Sequence, residues 1–143
     1  MALWCSSLSN LEDLDLFDTK VSNRALRQIA QLPRMTSLNF CTAASEFDDE
    51  LLEYLPKLTS LTALWINVDG LTHDKFLCLK PLRRLTKLNL SVRSDDAIIN
   101  FTFDNRAIQF MLESFPDLQE FDFCEVCDSS LLMLCCFSCP GID

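Results

Sequence analysis

Four cysteines toward one end of the chain carry the spacing of a metal site: Cys124 and Cys127 in "CEVC", and Cys136 and Cys139 in "CCFSC". As thiolates, two such pairs could hold a zinc ion tetrahedrally, each sulfur about 2.3 Å from the metal. The single imidazole, His73, and the carboxylate run Asp48, Asp49 and Glu50 are the other groups of a type that does acid–base work. Neither is accompanied by a nucleophile at a spacing that pairs them. Glycine occurs only at positions 70 and 141, so no glycine-rich phosphate loop is present.

Whether the four thiols meet depends on the elements that position them. The pattern apolar-x-x-apolar-x-x-apolar-x-apolar occurs five times: "LSNLEDLDL" from Leu8, "LPRMTSLNF" from Leu32, "LTSLTALWI" from Leu58, "LRRLTKLNL" from Leu82 and "FPDLQEFDF" from Phe115. Its seventh position falls at Leu14, Leu38, Leu64, Leu88 and Phe121, in steps of 24, 26, 24 and 33 residues. Periods of this size belong to repeat architectures. Pro33, Pro56, Pro81, Pro116 and Pro140 keep nearly the same interval, at 23, 25, 35 and 24 residues. Proline has no amide donor and restricts the residue before it, which suits a turn leading into a strand.

Between the motifs lie stretches with helical spacing. In "VSNRALRQIAQL", Val21, Ala25, Leu26, Ile29 and Leu32 share a face, with Ser22 as the predicted cap. "FDDELLEYLPKL" and "FDNRAIQFMLESF" read alike, with Asp48 or Asp49 and Asp104 or Asn105 near their starts. Each unit is strand, turn, helix, and one unit cannot bury its apolar side alone. Stacked units line their strands into a parallel sheet and their helices into an outer layer. The predicted fold is α/β: one domain over residues 1–143, a curved solenoid of about five repeats, with the sheet concave and the helices convex. The alternative, a doubly wound domain, needs longer strands and glycine-rich loops. "LPKLTSLTALWI" also permits a register three residues earlier, on Leu61 and Ala63; the strand formers of "LWINV" favour Leu64 and Ile66. The long fourth step contains "SVRSDDAIINFTF", read as an insertion.

In this arrangement Cys124 and Cys127 end a strand, while Cys139 lies beyond a helix about 12 Å long, too far for shared zinc. No metal or cofactor is expected. His73 falls at the start of the third helix and is assigned to capping it; Asp48, Asp49 and Glu50 are explained by the helix dipole. No catalytic residues are predicted, and a small metal-dependent enzyme ranks behind two binding functions.

Composition agrees. Of 143 residues, 49% are hydrophobic and 23% charged, which describes a folding chain rather than a disordered one. The net charge of −9 repels phosphate backbones and anionic lipid, so neither nucleic acid nor membrane is the expected partner. No basic leader and no stretch of roughly 20 apolar residues is present, and the eight cysteines read as reduced, mostly buried thiols in a cytoplasmic or nuclear setting.

The repeats resemble the leucine-rich-repeat family, and in detail the cysteine-containing subclass of F-box proteins and of the zyg-type substrate receptors of cullin ubiquitin ligases. "TKVSNRALRQIAQLPRMTSLNF", residues 19 to 40, is similar to that subclass's succession of strand loop, helix and Leu-Pro, and "LLMLCCFSCP" holds its Cys-Pro. Thr19, Ala43, Asp69 and Val126 stand where the subclass has cysteine. The resemblance implies a protein-binding module, with substrate recruitment to an SCF or cullin-type ubiquitin ligase as its setting and ligase components as partners. An effector that inhibits an enzyme, or scaffolds a signalling complex, would use the same surface. "LWCSSL" and "CPGID" read as incomplete repeats without polar caps, predicting a fragment of a longer repeat protein or a partner over the ends.

On the concave face three rows are expected. The first is Asp13, Ser37, Ala63, Lys87 and Glu120; the second Asp15, Asn39, Trp65, Asn89 and Asp122; the third Phe17, Cys41, Asn67, Ser91 and Cys124. Of these, Asp13, Asp15, Phe17, Asn39, Trp65, Asn67, Asn89, Glu120 and Asp122 are the predicted partner-binding residues. A central tryptophan between acidic ends suits a basic or amphipathic segment of a protein partner.

Overall fold

The computed structural model describes residues 8–17, 19, 21–41, 53–67, 72–93 and 104–126. Five strands, β1 (Asp13–Asp15), β2 (Ser37–Phe40), β3 (Ala63–Asn67), β4 (Lys87–Arg93) and β5 (Glu120–Val126), form one sheet. Every pairing is parallel and the order is β1-β2-β3-β4-β5. Parallel neighbours require a crossover between them, and three of the outer elements are helices: α1 (Asn23–Ile29), α2 (His73–Leu77) and α3 (Asn105–Ser114). Among the described residues before β3, Glu53 and Tyr54 are helical and lead into a 3-10 turn, Leu55–Lys57. The order never reverses, so the sheet has no switch point of the doubly wound kind.

The register follows the sequence motif. Leu14, Leu38, Leu64, Leu88 and Phe121 stand side by side across the five strands. Alternation along each strand sends these residues, with Leu16, Phe40, Ile66, Leu90 and Phe123, into the core. Leu61 is not a strand residue; it ends the turn before β3, where its amide donates to the Leu58 carbonyl at 3.0 Å, and it too is fully buried. The helices close this side through Leu26 of α1, Phe76 of α2 and Ala107, Phe110 and Met111 of α3. Phe110 stands edge-on to Phe76 at 5.0 Å and to Phe115 at 5.8 Å between centroids.

A second device fixes the step from strand to strand. Thr36, Thr62 and Thr86 occupy the fifth motif position, and each hydroxyl donates to the carbonyl at the same position one repeat earlier: Glu12 at 3.0 Å, Thr36 at 3.1 Å and Thr62 at 3.0 Å. The same carbonyls accept two further bonds each, from the amides of Thr36 and Ser37, of Thr62 and Ala63, and of Thr86 and Lys87. Gln119 and Glu120 continue the series onto Thr86 with amides alone. The three threonines therefore tie successive turns together at the N-terminal ends of the strands.

Helix starts are capped by side chains, as cap chemistry requires. Ser22 accepts from the Ala25 amide at 3.4 Å, as expected. Asp104 accepts from Arg106 and Ala107, and these bonds, Ala107's foremost, with the nearby His73 and Arg106 charges, hold its carboxyl below the ordinary value. His73 is not the cap of α2. Thr72 is, its hydroxyl accepting from Lys75 at 3.3 Å, and His73 is the first helical residue. A threonine oxygen reaches the open amides of the first turn from an extended backbone; the imidazole one residue later does not hold that position.

The predicted insertion also begins too early. Ser91, Val92 and Arg93 belong to β4 and pair with Cys124, Glu125 and Val126. The rest of "SVRSDDAIINFTF", the carboxylates 48–50, Cys127, Cys136, Cys139 and both chain ends lie outside the described residues.

Candidate functional site

The side of the sheet opposite the core carries the rows read from the sequence. Asp13, Ser37, Ala63, Lys87 and Glu120 are aligned in register, as are Asp15, Asn39, Trp65, Asn89 and Asp122. Successive residues of a strand face opposite ways, so the buried leucines dictate that these side chains point outward. Trp65 lies on the middle strand, half-buried, with Asn39 and Asn89 as its register neighbours. The rim residues Asp13, Asp15, Glu120, Lys87 and Phe17 are exposed, Phe17 to 65%.

The first row satisfies much of its own polarity. Ser37 Oγ donates to Asp13 Oδ1 at 3.1 Å, and Lys87 Nζ meets Glu120 Oε1 at 2.9 Å. That ion pair is solvent-exposed on both sides and is worth little to stability.

The second row shapes the exit of the strands. Asp15 Oδ1 accepts from the Phe17 amide at 2.8 Å, and Asn39 Oδ1 accepts from the Cys41 amide at 3.2 Å. Asx turns of this type bend the backbone within two residues. The turn at Asp15 delivers Phe17 to the surface, and Thr19 Oγ1 bonds the Phe17 carbonyl at 3.2 Å to secure it. Asp15 thus positions Phe17 as well as supplying charge.

The third row is closed at its centre. Asn67 is only 3% exposed. Cys41 and Ser91, on either side of it in register, meet across its strand with Sγ and Oγ 3.4 Å apart, and Ser91 Oγ also reaches the Ile66 carbonyl at 3.3 Å. Asn67 is therefore withdrawn from the predicted partner-binding set, because its neighbours close over it. Of the nine predicted residues, the structure leaves Asp13, Asp15, Phe17, Asn39, Trp65, Asn89, Glu120 and Asp122 on one face.

Sequence reasoning missed the threonines and the lid over Asn67. The threonine positions were visible as the residue two before each strand leucine, but their partners are carbonyls one repeat away.

Among the described residues no group of three or more His, Cys, Asp or Glu side chains could hold a metal ion, and no helix is long and apolar enough to cross a membrane. Compared with models of protein families, with curated proteins and with solved structures, the chain matches none.

Proposed function

We propose that this chain is a leucine-rich-repeat solenoid whose open sheet face binds a protein partner without catalysis. The observation that carries the reading is the outward row Asp15, Asn39, Trp65, Asn89 and Asp122, one residue from each of five parallel strands in unbroken register. Rigid strands hold the row at a spacing of about 4.8 Å per residue, which gives an extended segment of a partner a regular set of contacts. Trp65 at its centre has the area and low flexibility of an anchor, and Phe17 adds an exposed aromatic at the β1 end. Acidic side chains sit on the two outer strands and uncharged ones dominate the middle, so a segment with an apolar centre and basic flanks is the complementary ligand. The strictly sequential strand order and the 24- to 26-residue threonine steps support the solenoid. Following the family resemblance, the setting is substrate recruitment to a cullin-type ubiquitin ligase.

The test is affinity purification of the wild-type chain beside a Trp65→Ala, Asp122→Lys double variant, with mass spectrometry of the retained proteins. Ligase components retained by both, with other partners lost from the variant, is the expected result. Identical retention by both chains would remove the open face from the proposal.

A further inference from the structure

Five of the chain's twelve cations lie in the turns that lead into three neighbouring strands. The turns leading into β2, β3 and β4, residues 31–36, 55–62 and 78–86, contain five cations, Arg34, Lys57, Lys80, Arg83 and Arg84, and no carboxylate. The corresponding turns before β1 and β5 carry a carboxylate instead, Glu12 in one and Asp117 in the other. All five cations are exposed. Among the described residues, Arg34, Lys80, Arg83 and Arg84 enter no ion pair, and Lys57 lies 4.5 Å from the centre of the Tyr54 ring.

The threonine bonds make this a continuous surface. Thr36, Thr62 and Thr86 contact one another through successive carbonyls, and Arg34 and Arg84 each stand two residues before one of them. At about 4.8 Å per strand, the backbones at Arg34 and Arg84 are separated by roughly 10 Å across the turn of Thr59 and Ser60. Like charges on neighbouring turns raise each other's energy, a cost that an arriving anion removes. Arg34, Arg83 and Arg84 stand three or four residues before the strands β2 and β4, while Lys57 ends the 3-10 turn before β3 and Lys80 follows α2.

The geometry points to a second docking site along these turns, for an extended acidic segment of a partner protein. Arginine side chains take carboxylates through two parallel hydrogen bonds, and an extended chain, at about 3.3 Å per residue, can present carboxylates at the intervals set by the turns. Nucleic acid fits less well. Its charge density would face a chain of net charge −9, and it would find no free aromatic platform, because Tyr54, the aromatic beside the patch, is already engaged by Lys57 and by Arg27 at 5.4 Å. The site is independent of the open-face proposal and gives the molecule two surfaces of opposite preference.

The experiment is fluorescence anisotropy of the full chain with a fluorescein-labelled peptide of about ten residues rich in Glu and Asp, at low and at physiological salt. Wild type is expected to bind with an affinity that falls as salt rises, R83E/R84E to bind at least tenfold more weakly, and Trp65→Ala to bind as wild type does. Arg34→Glu with Lys57→Glu provides a second reversal on different turns, and circular dichroism of every variant reports folding. Absence of wild-type binding, or binding by both folded double variants as tight as that of wild type, overturns the site. Tighter capture of a single-stranded RNA oligonucleotide or of phosphatidylserine vesicles than of the peptide overturns the partner class.

Discussion

Thr62 and Thr36 are joined at a single atom: the Thr36 carbonyl oxygen accepts from the Thr62 hydroxyl at 3.1 Å, from the Thr62 amide at 2.8 Å and from the Ala63 amide at 3.0 Å. Thr62→Val keeps the shape of the side chain and removes one of the three bonds. The expected loss is about 1 kcal/mol of unfolding free energy by denaturant titration. Because Thr86 bonds the Thr62 carbonyl rather than its hydroxyl, Thr62→Val leaves the next step intact. A change no larger than that of an exposed threonine substituted in the same way would show the hydroxyl bond to be dispensable.

Leu64 and Trp65 are adjacent and face opposite ways, so they separate folding from binding. Leu64 is fully buried; Leu64→Ala is expected to cost about 2–5 kcal/mol of stability. Trp65→Ala is expected to leave the chain folded and to weaken a partner on the open face by about 2 kcal/mol or more. Calorimetry of unfolding and of binding, run on both variants, checks the division. Equal losses of stability would mean that Trp65 is a core residue.

Asp104 gives the chain a pH-dependent helix cap. Its carboxyl is held below the ordinary value of 3.8 chiefly by the Ala107 amide. A depressed folded-state value means that the contribution is complete above about pH 3.8 and disappears as pH falls through the lower folded-state value. Asp104→Asn retains a capping oxygen and is expected to flatten the acid limb of a melting-temperature profile. Asp104→Ala is expected to lower the melting temperature at neutral pH as well. An unchanged acid limb in both variants would exclude the cap as its source.

What could be read in the sequence was set by periodicity. The seventh motif positions became the aligned strand residues Leu14, Leu38, Leu64, Leu88 and Phe121, because burial of one face admits only one register. The choice of Leu64 over Leu61 required more than apolarity, since both are fully buried; the β-branched and aromatic residues after Leu64 made the difference. Side-chain partnerships were less legible. Thr72 and His73 are both polar residues at a helix start, and only backbone geometry decides which of them reaches the open amides. Asn67 has the same expected orientation as Trp65, and its burial depends on Cys41 and Ser91, residues 26 before and 24 after it.

The strand order has a mechanical consequence. Among the described residues each strand pairs with its sequence neighbours alone, and no pairing joins β5 to β1. Load or damage therefore passes along the ladder of strands link by link, and among the described residues the Cys41 Sγ–Ser91 Oγ contact is a bridge that skips a strand. Among the described strands, a lesion at β3 separates β1 and β2 from β4 and β5, two pairs each smaller than the three units that such stacking requires, while the same lesion at β1 or β5 leaves the other four described strands in register. Position along the row, as much as residue type, sets how severe a given substitution will be.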